Sequence, residues 1–148
     1  MNERKPSSNI FRDFRTIDFP KKSHIVYVIG INFRRRFVPF YVGQSSRHVG
    51  RLGDYVSANV TAFTDFKVGV AIMHLTRRGY RILVKFKASD DPIQEEKQLC
   101  QLIMNAAITP NLLNSPYWRA RRGRDVGSKA VGIERFVEDF LNALEAQH

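Results

Sequence analysis

Two tyrosines, each carried by a short apolar run, supply the first chemistry in this chain. The first run is His24-Ile25-Val26-Tyr27-Val28-Ile29-Gly30 and the second is Phe40-Tyr41-Val42-Gly43. Gly43 ends the second run, and a polar turn, Gln44-Ser45-Ser46, follows. A segment with helical spacing comes next and presents Arg51 and Tyr55 four residues apart, on one helix face. Three phenols and a guanidinium are thereby gathered at the end of a small sheet. Arginine's planar fork can make two parallel hydrogen bonds to a phosphate, which a lysine cannot. Any one of these residues alone has a plainer use: a strand tyrosine packs, and a surface arginine is solvated. Their joint occurrence, in this order, asks for another account.

The arrangement resembles the GIY-YIG nuclease family. Ile25-Val26-Tyr27 stands where the family has Gly-Ile-Tyr, and Tyr41-Val42-Gly43 where it has Tyr-Ile-Gly. Arg51 follows Tyr41 by ten positions (51 − 41), about where the family has its catalytic arginine. The resemblance runs from about His24 to Asn114. It implies a metal-dependent endonuclease acting on DNA, with Mg²⁺ or Mn²⁺ as cofactor. Its metal-binding glutamate falls early in the helix that contains Gln94-Glu95-Glu96-Lys97. Glu96 fits best because Leu99 and Cys100 then fill the apolar positions after it. Glu95 is the alternative, since helix phase does not separate neighbours until the buried face is known. Asn114 matches the asparagine that ends the motif.

The sequence departs from the family at several positions. Ile25 replaces the first glycine, at a strand position where the change is physically tolerable. Tyr55 stands where many members have a histidine, as in the branch that resembles the excision-repair nuclease subunit. Gln44 stands where that branch has a lysine. His48, one helical turn before Arg51, offers a cation in its place.

Hydrolysis of a phosphodiester requires a deprotonated water, neutralised charge on the phosphorane and a stabilised leaving oxygen. On the resemblance, Tyr41 is the base or holds the water, Tyr27 assists and Arg51 grips the phosphate. Tyr55 completes the catalytic set, and Glu96 holds the metal, for which one or two carboxylates suffice. Gly43, Gln44, His48 and Asn114 line the substrate side. Two basic clusters, Arg34-Arg35-Arg36 and the loop containing Trp118, Arg119, Arg121 and Arg122, are the phosphate-backbone candidates.

Composition agrees with a polyanionic partner. The chain has 148 residues, with 24 Lys+Arg against 14 Asp+Glu, a formal charge of +10 and a pI near 10.2. Nucleic acid is the first partner such a balance suggests. A hydrophobic fraction of 43% argues against global disorder. The length suits one domain with one core. The single cysteine, Cys100, excludes an internal disulfide and a cysteine-rich zinc site. No apolar run approaches a membrane span, and no signal-peptide core follows Met1, so a cytoplasmic protein with no membrane association is expected.

The elements that must hold these residues follow from periodicity. Residues 1–22 read as a basic arm that docks on the domain, 23–115 as the nuclease-like core, and 116–148 as a basic loop and a helix. Ile25–Ile31 is a continuous apolar, β-branched run, hence a buried strand. Arg34-Arg35-Arg36 is the hairpin tip before a second strand, Phe37–Val42, in which Pro39 marks an edge or a bulge. A helix is expected over 49–55 and a polar loop over 56–65. Val68, Ala71, Ile72 and Leu75 have helical spacing, stopped by Gly79. Tyr80–Ala88 alternates as a half-buried strand with a basic face. Ser89-Asp90-Asp91-Pro92 opens a further helix, with a capping residue and a proline at its first position. Val131–Ala146 is a last helix with Ile133, Phe136, Val137, Phe140, Leu141 and Leu144 on its apolar face. The whole is an α/β, or α+β, sandwich: a small, mainly antiparallel three-stranded sheet flanked by helices, with an extra C-terminal helix. That helix either closes the core or serves a homodimer or partner protein. A basic nucleic-acid-binding or complex-forming protein that keeps the fold without catalysis is the alternative to a nuclease.

Overall fold

The computed structural model describes residues 10–16, 24–45, 66–114 and 126–146. Three strands and three helices occupy them: β1 (Ile25–Phe33), β2 (Arg36–Ser45), α1 (Phe66–Arg77), β3 (Ile82–Ala88), α2 (Pro92–Ala106) and α3 (Val126–Ala146). The sheet order is β2-β1-β3, and both pairings are antiparallel. The architecture is the expected α+β sandwich. The helix expected over 49–55 and the loop over 56–65 lie outside the described residues.

The unbroken apolar run Ile25–Ile31 within β1 has a simple cause. β1 is the central strand, so both its faces are covered. Ile25, Tyr27, Ile29, Ile31 and Phe33 project toward α1 and α3, where they meet Val68, Ala71, Leu75, Ile133, Val137 and Phe140. Val26 and Val28 project the other way, onto Leu99 and Ile103 of α2. Helices therefore cover both sheet faces. The apolar face of α3 belongs to the core: Ile133, Val137, Phe140 and Leu144 are buried.

Each sheet edge is also engaged at a few points, which satisfies part of the unpaired backbone that edge strands otherwise present. On the β3 side, the Arg15 N–H donates to the Phe86 carbonyl (2.7 Å) and the Phe86 N–H to the Arg15 carbonyl (2.9 Å). The docking arm thus exists for residues 10–16, and its Ile10, Phe11 and Phe14 join the α2-side core. On the β2 side, Thr109 Oγ1 donates to the Pro39 carbonyl (2.6 Å). The Leu113 N–H donates to the Phe40 carbonyl (2.7 Å).

The basic face of β3 is not left to solvent. Lys85 Nζ lies 4.9 Å from the centre of the Phe37 ring and Lys87 Nζ 5.7 Å from that of Phe14. Aliphatic stems and cation–π contacts let these lysines cover apolar surface.

Strand boundaries run further than the sequence predicts. β1 continues to Phe33 and β2 from Arg36 to Ser45, because backbone pairing persists after the apolar pattern ends. The hairpin turn is therefore only Arg34-Arg35, with Arg36 already paired to Phe33.

Candidate active-site geometry

One irregularity in the β1–β2 ladder sets the positions of the tyrosines. Pairing runs from Ile25↔Ser45 to Ile29↔Tyr41, then shifts so that Gly30 faces Pro39. Phe40 is the extra residue of a β-bulge. Val38 and Phe40 both face α1 and α3, so strict alternation would turn Tyr41 to the opposite side. The extra residue resets the alternation. Tyr41 packs against the same cluster as Tyr27, and Val42 turns toward α2. The bulge leaves no room for a side chain opposite it: a Cβ on Gly30 would sit 2.5 Å from the Val38 carbonyl oxygen.

Tyr27 and Tyr41 are diagonal neighbours with ring centroids 6.3 Å apart, tilted by 46°. Tyr27 pairs with Gly43. A Cβ on Gly43 would overlap the Tyr27 phenol, coming to 2.5 Å of its hydroxyl oxygen. Gly43 thus gives Tyr27 the space in which its ring lies. The two phenols differ in access: Tyr27 is 1% exposed, whereas Tyr41 is partly exposed.

The glutamates separate clearly. α2 starts at an Asp91 cap whose side chain accepts from the Gln94 N–H, with Pro92 in its first turn. Glu95 then points along the sheet to β3. Its Oε2 pairs with Lys87 Nζ at 2.6 Å, and its Oε1 accepts from Ser89 Oγ at 2.6 Å. Both oxygens are engaged. Partial burial acts to raise the Glu95 carboxyl, but the Lys87 and Ser89 hydrogen bonds and the Lys87 charge outweigh it, and its pKa lies below the ordinary 4.5. This is an ion pair that fastens α2 to β3.

Glu96 faces the other way, toward β2. Asn114 Nδ2 stands 3.4 Å from Glu96 Oε2 and donates at 2.7 Å to the Val42 carbonyl. The Val42 N–H returns a 2.8 Å bond to Asn114 Oδ1. One amide therefore holds the outer edge of β2, at the residue between Tyr41 and Gly43, and reaches the α2 carboxylate. Glu96 shares the inward side of α2 with Leu99 and Ile103, three and seven residues on, and is partly exposed. Relative to the sheet, the tyrosines lie on the α1–α3 face, and Glu96 approaches from the α2 face around the β2 edge.

Gln44 pairs with Val26, and its buried Oε1 has no hydrogen-bond partner among the described residues. Of the hairpin arginines, Arg34 is held: its Nη2 lies 3.1 Å from Glu145 Oε1 on α3, and its guanidinium 4.9 Å from the Phe33 ring centre. Arg35 and Arg36 are exposed. Arg51, Tyr55, His48, Arg119, Arg121 and Arg122 lie outside the described residues. Lys87 and Ser89, which engage both oxygens of Glu95, are not among the site residues that the sequence points to. The one signal was Lys87's place in the β3 alternation, two residues before Ser89.

Among the described residues no three of His, Cys, Asp and Glu stand together. The described residues thus form no all-protein cage, and Glu96 could supply at most a single carboxylate to an ion whose other ligands came from elsewhere.

No family model, curated protein or solved structure matches the chain. Among the described residues, no helix is long and apolar enough to cross a membrane.

Proposed function

We propose that this protein is a metal-dependent DNA endonuclease with a GIY-YIG-type site. The observation that carries the reading is the Asn114 bridge, which ties Glu96 to the backbone between Tyr41 and Gly43. Tyr41, the more accessible phenol, would take the proton of the attacking water or hold that water. Tyr27, packed against it, would orient it. Arg51 would grip the phosphate through its two-pronged guanidinium. Glu96 would hold the Mg²⁺ or Mn²⁺ ion, with Asn114 fixing the carboxylate. When bound, the ion would neutralise charge developing on the phosphate. The +10 charge supports a polyanionic substrate, and a cytoplasmic location goes with the same reading.

A second reading is a basic nucleic-acid-binding protein that keeps the fold without cleaving. It draws on the near-complete burial of Tyr27 in the core, where a phenol serves packing.

Supercoiled plasmid separates the two. Nicking or linearisation in Mg²⁺ or Mn²⁺, stopped by EDTA and lost in Glu96→Gln with binding retained, is the outcome for a nuclease. Binding without cleavage in either metal leaves the second reading. If Glu95→Gln abolishes cleavage and Glu96→Gln does not, the metal ligand has been assigned to the wrong residue.

A further inference from the structure

The far end of the sheet, away from Glu96, is strongly basic and built from one residue type. Arg34 and Arg35 form the β1–β2 turn, and Arg36 begins β2. Arg77 ends α1, Arg78 follows it, and Arg81 precedes β3, with its carbonyl accepting the Asn32 N–H at 3.2 Å. The rings of Phe33 and Tyr80 stack with centroids 6.3 Å apart, so the hairpin and the α1–β3 connection are adjacent. All six cations are arginines, and all six are exposed.

Two of the six are already engaged by α3. Arg34 pairs with Glu145 at 3.1 Å and Arg78 with Glu138 at 3.6 Å. Glu138 and Glu145 are seven residues apart, about 10 Å along the helix axis. Arg35, Arg36, Arg77 and Arg81 have no ion-pair partner among the described residues.

A second observation singles out the turn. Arg34 and Arg35 have φ of 51° and 70°, the pattern of a two-residue type I′ hairpin. That turn prefers Asn-Gly or Gly-Gly, and a bulky residue in the left-handed region is strained. Two consecutive arginines there are a poor choice for stability. Strain of this kind is where a functional demand is to be sought.

We infer that this arginine cluster is a second phosphate-binding surface, which grips the backbone of duplex DNA away from the site where cleavage is proposed. The six steps along β1 from Tyr27 to Phe33 (33 − 27) separate the two ends by about 20 Å, at roughly 3.3 Å per residue. That span corresponds to about six base pairs, at roughly 3.4 Å each. Arginine's fork suits phosphate oxygens, and the contact carries no sequence information. Glu145 competes with phosphate for Arg34. The inference rests on the nucleic-acid part of the proposed function and is independent of catalysis.

The test is binding of the full chain to a labelled duplex of about 20 base pairs, followed by anisotropy in EDTA across a salt series. Replacing Arg35, Arg36 and Arg81 together by Gln should weaken binding on the order of 10²-fold near 0.1 M salt. The log K–log salt slope should become shallower by about 2–3. Melting temperature should not fall. Glu145→Gln, which releases Arg34, should tighten binding several-fold. Glu134→Gln makes the same charge change on the same helix without releasing an arginine, and should do less. Wild-type affinity and slope in the triple variant, or equal gains in the two glutamate variants, would overturn this surface. So would a wild-type protein that does not bind duplex, which would leave an acidic protein as the partner to seek. A protein that binds as described but never nicks plasmid refutes the nuclease reading alone and leaves this surface standing.

Discussion

The two tyrosines are equivalent in the motif and unequal in the fold. Tyr27 is buried under Gly43 and the helices, while Tyr41 retains access to solvent. On the proposed mechanism, Tyr41→Phe removes only the reacting hydroxyl. Cleavage should fall by roughly 10²–10⁴-fold, the range for a positioned proton-transfer group. Tyr27→Phe should cost the same or less. Neither variant should shift the melting temperature by more than the loss of one hydrogen bond allows. Full activity in a folded Tyr41→Phe protein would remove the assignment. Gly43→Ala tests the geometry beneath both: its methyl would meet the Tyr27 ring, so stability should drop through overpacking by about 1–3 kcal/mol. A melting temperature unchanged by Gly43→Ala would show that Tyr27 can give way.

At the scale of elements, α2 is fastened to β3 by Glu95 and to the β2 edge by Glu96 through Asn114. The Glu95 carboxyl is held below its usual pKa of 4.5. A depressed native pKa stabilises the fold above the unfolded value, and that stability is lost as pH falls through the native value. Glu95→Gln should therefore melt below wild type at pH 7. The gap should close as pH drops past about 4.5 and below. A gap independent of pH would mean that packing, not the ion pair, holds this junction. The hairpin makes an opposite prediction. Arg35→Gly relieves the positive φ of 70° at a small entropic cost, so stability should rise by about 0.5–1 kcal/mol. A lower melting temperature would mean that the turn is not strained. If the arginine cluster grips DNA, the same change should weaken binding.

For the molecule as a whole, charge is the dominant property. If the hairpin end and the loop bearing Arg119, Arg121 and Arg122 each neutralise two or three phosphates, log K should fall with log salt at a slope of roughly −4 to −5. Binding should depend little on base sequence, because phosphate contacts position without specifying. A flat salt response, measured by anisotropy from low to moderate salt, would remove the electrostatic argument. The tertiary structure narrows which cations can take part. Lys85 and Lys87 lie over aromatic rings, Lys87 is also paired with Glu95, and Arg34 and Arg78 are paired with α3. Net charge therefore overstates the number of cations open to a ligand.

Within the described residues, local pattern was enough for the element types and for the buried faces. The β-branched run of Ile25–Ile31, the capped Asp91-Pro92 start and the 3.6-residue period of Ile133–Leu144 each express their own burial, because a strand or helix face is read from residues close in sequence. Pro39 marked the irregular edge of β2 for the same reason. Local pattern was not enough for the relations between elements. Whether Tyr41 shares a face with Tyr27 depends on one extra residue in a ladder whose partner strand lies about ten residues away. Whether Glu95 or Glu96 turns to the β2 edge depends on where Lys87, Ser89 and Asn114 arrive after the chain has folded back. Whether Arg34 meets solvent or Glu145 depends on a contact across 111 positions. Those pairings are set by backbone register and by charges meeting across the packed layers, and a short stretch of sequence contains neither.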